Sequence, residues 1–331
     1  MFLYLRSIAE DSPGEKWKKA FDKAWPYYKK WFVSEGYSSR PGYLTSSEKL
    51  KEFMPELYPI YKQLCELAGD GDLESRFLSQ YSPPPFMSGC SQIAWTKDAN
   101  MLIRNYDYSP RLFEGILLKS NWLKPVIGIS DCLWGLLDGI NADGLTISLT
   151  FGGRNISGDG FGVPLVMRYV LETCSTIEEA IQVFHRVPVH MSYNVTILDK
   201  NKHFVTVFLS PDRPVSVVAT CIGTNHQHSV EWENYASMSA TLPRMQFLEK
   251  CLYNPEETSR SIKQKFMHAP LYNTQFEKGF GTLYTAIYDL EKFECQIRWP
   301  NKKKTYSFDN FEEEKLQINL SKMFFGQKLG I

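Results

Sequence analysis

An extended linker runs directly into a predicted strand in the segment Pro83-Pro84-Pro85-Phe86-Met87-Ser88-Gly89-Cys90-Ser91-Gln92. If the bond between Gly89 and Cys90 is cut, the thiol acquires a free α-amine on the same residue. A cysteine thiol has a pKa of about 8.5 and an α-amino group one of about 7.7–8.0, so a nucleophile and a base then lie together near neutral pH. The sequence therefore predicts a zymogen that activates itself by cleavage before Cys90.

The first 89 residues are predicted to form a helical propeptide. Aromatic side chains at spacings of three and four over residues 17 to 32 indicate an amphipathic helix, which Pro26 is expected to kink or divide. Further helical patterns cover residues 46 to 67 and 73 to 81. The proline-rich linker then separates this propeptide from the strands that follow.

The residues from Cys90 onward are predicted to begin with a hairpin. If its turn has two residues, Cys90 lies opposite about Asn105, and a turn one residue longer moves the partner to Tyr106. Both registers bring Arg104 and Asp107 near the thiol. A shift of one residue reverses which of the two shares its face, and the sequence leaves this register open.

The order of elements in residues 90 to 331 indicates a layered α+β fold. The segment from Gly144 to Gly152 alternates apolar and small hydroxyl residues, which is typical of a strand whose polar face lines a cleft or packs on another strand. Two successive helices are predicted at residues 164 to 174 and 175 to 187. Strands, further helices and a last hairpin follow, so strands and paired helices form separate layers.

Composition excludes several classes of partner. The chain has 331 residues, 43% of them hydrophobic, and a formal net charge of +0, so no overall field favours nucleic acid or an anionic membrane. The start of the chain lacks signal-peptide features, and no apolar run approaches the roughly 20 residues that a membrane span needs. We expect a small molecule as the partner, and the sequence leaves the oligomeric state open.

The cysteine and histidine patterns predict neither a metal nor a cofactor. Seven cysteines include no Cys-x-x-Cys pair, which argues against a disulfide framework or a thiolate zinc site and favours the reducing cytoplasm. His226 and His228 have no acidic or cysteine neighbour in sequence, so a polar loop near the cleft is the better interpretation. No glycine-rich phosphate loop is present.

Three motifs together resemble a known family. They are Ser88-Gly89-Cys90-Ser91-Gln92, Arg104-Asn105-Tyr106-Asp107-Tyr108 and Asp138-Gly139-Ile140-Asn141-Ala142-Asp143-Gly144-Leu145. The pattern is similar to the isopenicillin-N acyltransferase-like family of linear-amide hydrolases, which includes acyl-coenzyme A:6-aminopenicillanic acid acyltransferase and is related to choloylglycine hydrolases and penicillin V acylases. The resemblance implies a four-layer αββα N-terminal-nucleophile fold behind a helical propeptide, cleavage before the cysteine, and action on small linear amides by hydrolysis or acyl transfer.

The resemblance also implies roles for individual residues. Cys90 matches the nucleophile, while Arg104 and Asp107 match the charged residues beside the thiol and the new amine. A guanidinium near sulfur favours thiolate, and a carboxylate can orient an ammonium group. Asn194, within Ser192 to Val195, matches a catalytic Asn that can donate to an oxyanion, and Arg244 resembles a late active-site Arg.

One position departs from the related bile-salt hydrolases. Where those enzymes have an Asn as an oxyanion donor, Thr150 stands here, and a hydroxyl has a shorter reach. The expected oxyanion donors are therefore Asn194 together with Thr150 or a backbone N–H beside it. This difference makes a bile-salt substrate less favoured.

Two alternatives to a self-processing enzyme remain from the sequence. A noncatalytic binding protein of the same fold would keep residues 1 to 89 attached and covering the cleft. A cysteine-histidine hydrolase of papain type would use His226 or His228, but the local cysteine signature of that class is absent. The acyl group, the amine, the use of coenzyme A thioesters and the choice between hydrolysis and transfer are not decided by any residue.

Overall fold

Residues 1 to 320 are described by the computed structural model and contain two β-sheets. The larger sheet consists of β1 (Phe2–Glu10), β4 (Ile116–Asn121), β5 (Pro125–Asp131), β6 (Gly135–Asn141), β7 (Leu145–Phe151), β8 (Tyr193–Asp199), β9 (Phe204–Leu209), β10 (Ser216–Val218) and β15 (Lys315–Asn319). The smaller sheet consists of β2 (Gly89–Trp95), β3 (Met101–Tyr108), β11 (Ile222–Gly223), β12 (Gly281–Asp289), β13 (Glu294–Trp299) and β14 (Lys302–Ser307). The helices are α1 (Glu15–Phe32), α2 (Tyr43–Phe53), α3 (Tyr58–Ala68), α4 (Asp72–Leu78), α5 (Val163–Thr173), α6 (Ile177–Arg186), α7 (Glu233–Met238), α8 (Thr241–Tyr253) and α9 (Ser259–Lys265).

The two sheets pack face to face between layers of helices. Strand β2 contacts β7 and β8, while α5 and α6 pack on the outer side of the larger sheet and α8 packs on β2 and β11. The hydroxyl face of β7 points toward the smaller sheet, because Ser148 Oγ donates to Gln92 Oε1 at 2.6 Å. Gln92 Nε2 donates in turn to Thr196 Oγ1 at 2.7 Å. The alternating strand predicted from the sequence therefore serves the contact between the sheets.

The prediction that residues 1 to 89 are helical is wrong for Phe2–Glu10, which form a strand. Strand β1 lies inside the larger sheet, parallel to β4 and antiparallel to β15. Leu3 and Leu5 are buried while Phe2 and Tyr4 are exposed, so the segment follows the period of two that a strand requires. The pattern is short, and its two partner strands are distant in sequence, so local periodicity did not reveal it.

The helical part of the propeptide follows the predicted order with different boundaries. Helix α1 continues through Pro26, whose ring is exposed, instead of being divided there. The stretch predicted as one helix over residues 46 to 67 is two helices, because Pro55 opens a single 3-10 turn between them and Pro59 lies in the first turn of α3. None of the helices in residues 1 to 320 is long and apolar enough to cross a membrane.

The helices of residues 1 to 89 pack against the rest of the fold through polar contacts that range from exposed to buried. Tyr169 on α5 donates its hydroxyl to Glu56 at 2.6 Å, and Arg186 on α6 donates to the Phe53 carbonyl at 2.7 Å. Trp17 on α1 donates its indole N–H to the Leu133 carbonyl at 3.0 Å. Residues 1 to 89 and the sheets therefore share one continuous core.

Candidate active site

The hairpin of β2 and β3 adopts the longer-turn register. Cys90 lies opposite Tyr106, and Gln92 lies opposite Arg104, while Gly89 lies opposite Asp107. Residues directly opposite each other in an antiparallel pair share a face, so Cys90 shares its face with Tyr106 and Arg104. Asp107 points to the other side of the sheet. The thiol and the carboxylate therefore approach the Gly89–Cys90 peptide from opposite faces.

A buried cation holds the sulfur of Cys90. Arg104 Nη2 donates to Cys90 Sγ at 3.3 Å, and both side chains are fully buried. The guanidinium also pairs with the carboxylate of Asp138, which accepts hydrogen bonds from the hydroxyls of Tyr284 at 2.6 Å and Tyr288 at 2.5 Å. Burial alone lowers the pKa of Arg104, but the facing thiol, Tyr284 and Asp138 hold it well above its usual value. A fixed positive charge therefore lies beside the sulfur.

A second group of contacts holds the backbone on both sides of Gly89. The backbone N–H of Cys90 donates to Asn225 Oδ1 at 2.9 Å. Asn225 Nδ2 donates to the carbonyls of Ser88 at 3.3 Å and Phe151 at 3.1 Å, and the Tyr235 hydroxyl donates to the Ser88 carbonyl at 2.6 Å. The chain around the Gly89–Cys90 bond is therefore fixed by Asn225 from a distant loop and by Tyr235 from α7.

Arg244, at the start of α8, connects these contacts. Its Nη1 donates to the Cys90 carbonyl at 2.6 Å and to Ser91 Oγ at 2.9 Å, and its Nη2 donates to Asn225 Oδ1 at 2.6 Å. The same guanidinium lies 3.5 Å from the carboxylate of Asp107. Arg244 thus orients the amide that accepts from the Cys90 N–H.

Asp107 lies beside the Gly89 backbone on the outer face of the hairpin. Its carboxylate accepts from Thr282 Oγ1 at 2.6 Å. Burial raises the pKa of Asp107 to about 6, although Arg244 and the Thr282 hydroxyl favour the charged form. Packing also constrains Gly89, because a Cβ there would lie 2.8 Å from the ring of Phe280.

Asn194 and Thr150 contact the loop that carries Asn225 and not Cys90 itself. Asn194 Nδ2 donates to the carbonyls of Thr224 and His226, both at 2.9 Å. Thr150 Oγ1 donates to the Thr224 carbonyl at 2.7 Å. Within the described residues, neither side chain hydrogen-bonds to the thiol-bearing residue, and both instead hold the loop that carries Asn225.

Three side chains of this site were not predicted from the sequence. Asn225 lies in the polar loop that was predicted near the cleft from His226 and His228, and no role was predicted for Asn225 itself. Asp138 is the first residue of the third motif, and no role was predicted for it either. Tyr235 had no sequence signal, because an aromatic residue in a short helix is usually explained by packing. A search for polar residues near Arg244 in sequence would have found Asn225.

The two sheets between layers of helices form the fold of the N-terminal-nucleophile hydrolases. Cys90, at the start of the inner strand β2, is held at its sulfur, its N–H and its carbonyl. The chain belongs to the acyl-coenzyme A:6-aminopenicillanic acid acyl-transferase family, whose model matches residues 95 to 304. The match begins five residues after Cys90. The family predicted from the sequence is confirmed, and so is the αββα fold class, apart from the strand in the propeptide.

Solved structures of related enzymes are similar at low sequence identity. The conjugated bile acid hydrolase from Clostridium perfringens is 14% identical with a TM-score of 0.47, over 70% of this chain and 96% of that chain. Penicillin V acylase from Agrobacterium tumefaciens is 12% identical with a TM-score of 0.45, over 69% and 90%. A Caenorhabditis elegans N-acylethanolamine-hydrolyzing acid amidase ortholog is 15% identical with a TM-score of 0.44, over 70% and 100%. No curated protein sequence matches the chain.

Proposed function

We propose that the chain is a self-processing cysteine amidohydrolase or acyltransferase that acts on a small linear amide through an acyl-thioester on Cys90. The observation that carries this proposal is the contact of 3.3 Å between Arg104 Nη2 and Cys90 Sγ. It is supported by two hydrogen bonds to the backbone of the same residue: Asn225 accepts from its N–H, and Arg244 donates to its carbonyl. A buried structural cysteine needs none of these polar partners.

In maturation, the Cys90 thiolate attacks the carbonyl carbon of Gly89. The bond from that carbon to the Cys90 nitrogen breaks, a thioester forms to the sulfur, and the released amine takes up a proton. Water then hydrolyses the thioester, which leaves a carboxylate on Gly89 and a free thiol and amine on Cys90. The products are a propeptide of residues 1 to 89 and a catalytic chain of residues 90 to 331.

In turnover, the new amine of Cys90 accepts the thiol proton, and the thiolate attacks the carbonyl carbon of the substrate amide. The bond from that carbon to the substrate nitrogen breaks, the leaving amine takes the proton from the Cys90 ammonium, and an acyl-thioester forms on the sulfur. Water or a second amine then cleaves the thioester and restores the thiol. Asn225 Oδ1 accepts from the backbone N–H in the uncleaved chain, so it is placed to accept from the amine after cleavage. Asn225 Nδ2 loses its Ser88 partner when the end of the propeptide moves, and that N–H then donates to the oxyanion. In this scheme Asn194 and Thr150, the donors implied by the family resemblance, position the Asn225 loop, while Asp107 and Arg244 orient the amine.

Replacement of Asn225 tests this assignment. We expect Asn225→Ala to slow self-cleavage by on the order of 10²-fold, because the variant loses the acceptor of the Cys90 N–H and one of the two donors to the Ser88 carbonyl. The rate is measured by intact mass over time, which needs no knowledge of the substrate. Asn155→Ala, at an exposed position, is the matched control and should cleave normally. Cleavage of Asn225→Ala at the control rate would remove Asn225 from the mechanism.

We propose further that the cleaved propeptide stays bound. Strand β1 is flanked on both sides by strands of the catalytic chain, and the larger sheet would be interrupted if it left. The two fragments should therefore elute together in gel filtration at the volume of an uncleaved Cys90→Ala chain, and separate only in denaturant. Loss of residues 1 to 89 in native buffer would contradict this proposal.

The remaining features of the proposed function follow from the sequence. We propose a small-molecule amide or acyl donor as the substrate, no resident cofactor, and a cytoplasmic location, which fits seven cysteines without a Cys-x-x-Cys pair. A noncatalytic binding protein of the same fold is the competing proposal. The contacts between Arg104, Cys90 and Asn225 favour the enzyme.

A further inference from the structure

A cavity of about 290 Å³ lies between the propeptide helix α1 and the catalytic sheets. Its walls are largely aromatic and come from both parts of the chain: Tyr28, Trp31, Phe86, Tyr108 and Phe113. The volume is at the lower end of the range for small-molecule sites, which is roughly 300–1,000 Å³. The cavity therefore fits a compact apolar group.

The cavity adjoins the proposed active site. Tyr108, in its wall, lies with its ring 5.7 Å from that of Tyr106, the residue opposite Cys90 in the hairpin. The guanidinium of Arg104 lies 4.7 Å from the centre of the same Tyr106 ring. Phe86, in the opposite wall, belongs to the linker that leads to the cleavage site. One aromatic ring, that of Tyr106, and three residues of linker, Met87 to Gly89, thus separate the cavity from Cys90.

Three cations line the cavity without an ion-pair partner. Among residues 1 to 320, the side chains of Arg6, Lys23 and Arg111 form no salt bridge, and Lys23 and Arg111 are exposed at the mouth beside Leu112. The pKa of Lys23 is lowered mainly by the positive charge of Arg6, and to a smaller extent by burial and by the charge of Lys315. Like charges gathered around an apolar cavity favour an anion at its mouth.

Two carboxyl groups, Glu114 and Asp131, also line the cavity, and burial disfavours their charge. The Tyr28 hydroxyl donates to Glu114 Oε2 at 2.7 Å, while Glu114 Oε1 has no hydrogen-bond partner in the described part of the chain. Burial raises the pKa of Glu114, and burial together with Glu114 raises that of Asp131 to about 7. Below that pH Asp131 is mostly neutral, which reduces the negative charge that lines the cavity.

We propose that this cavity binds a part of the substrate that consists of a compact apolar group joined to an anionic group. The apolar group packs among the aromatic walls, and the anion lies at the mouth between Lys23 and Arg111. The cleaved propeptide thereby contributes half of the substrate site through α1. This assignment rests on the proposed function for its connection to catalysis, but the binding itself requires only the cavity.

The test uses the full chain with Cys90→Ala, which keeps the linker in the described position and cannot react. Octanoate, octanol and octylamine share one apolar group and differ in charge, and their binding is measured by calorimetry at pH 6. We expect octanoate to bind about fivefold to tenfold more tightly than octanol, and octylamine to bind most weakly. Tighter binding of octylamine, or no binding of any probe, would overturn the proposal.

Variants locate the binding at this cavity. The double variant Lys23→Gln and Arg111→Gln should weaken octanoate to the level of octanol, while Lys29→Gln, on the same helix but outside the cavity lining, should leave it unchanged. Ala24→Phe fills the cavity and should weaken octanoate and octanol together by about tenfold or more. Octanoate binding that resists these changes lies elsewhere and overturns the proposal.

These results are separable from the proposed catalytic function. Binding that follows the expected pattern, in a protein whose wild-type form cleaves no amide, would support the cavity assignment and reject the enzyme. Amide cleavage that is unaffected by Ala24→Phe would support the enzyme and reject the cavity assignment.

Discussion

Replacing Cys90 by Ala should leave the protein as a single uncleaved chain and lower turnover of linear amides by on the order of 10⁴-fold or more. The variant keeps the hairpin and its register but lacks the sulfur atom that Arg104 Nη2 contacts. Residual rates would come from the remaining oxyanion donors and from binding. Intact mass follows the cleavage, and a panel of chromogenic anilides follows turnover.

Two further variants make this result specific. Cys174→Ala, at the end of α5, removes another buried thiol and should leave both rates unchanged. Cys90→Ser retains a weaker nucleophile and should cleave slowly. Continued turnover by Cys90→Ala would exclude an acyl-thioester mechanism.

The largest effect on stability is expected for Asp138→Ala. This change leaves the Arg104 guanidinium buried without its counter-charge and removes the acceptor of the Tyr284 and Tyr288 hydroxyls. Breaking a buried ion pair from one side costs about 3–5 kcal/mol, so we expect a loss of that size in the free energy of unfolding. Urea unfolding in the Cys90→Ala background measures it on one continuous chain.

An exposed ion pair supplies the control for this measurement. Asp143 pairs with Lys124 and is 41% exposed, so Asp143→Ala should cost no more than about 1 kcal/mol. Equal effects of the two substitutions would show that the Arg104–Asp138 pair is not an essential buried contact. A large loss for Asp138→Ala together with normal cleavage would separate its role in stability from any role in maturation.

The layers of the fold were predictable from the sequence, but the strand at the start of the chain was not. The hairpin at Cys90 and the hydroxyl-faced β7 follow from periods of two within single segments, and the paired helices α5 and α6 follow from their caps. Strand β1 was missed because its stability comes from β4 and β15, which lie more than 100 and 300 residues away. The register at Cys90 could not be predicted, because it depends on the length of the turn between β2 and β3, which only the structure shows.

The site was predictable where a side chain sits next to Cys90 in the hairpin. Arg104 was expected near the thiol from the spacing of two adjacent strands, and the structure brings them into contact. Asn225 is on a loop, and the contacts that bring it to Cys90 depend on Arg244 and on the loop support from Asn194. No local pattern encodes that arrangement, since it is formed by segments that meet only in the folded chain.

An intact-mass spectrum of the freshly purified wild-type chain, repeated over hours near neutral pH, tests the central claim most directly. We predict two fragments, residues 1 to 89 and residues 90 to 331, with Cys90 as the new N-terminus by sequencing. A single mass for the full chain that persists throughout would contradict self-processing and favour the noncatalytic binding protein.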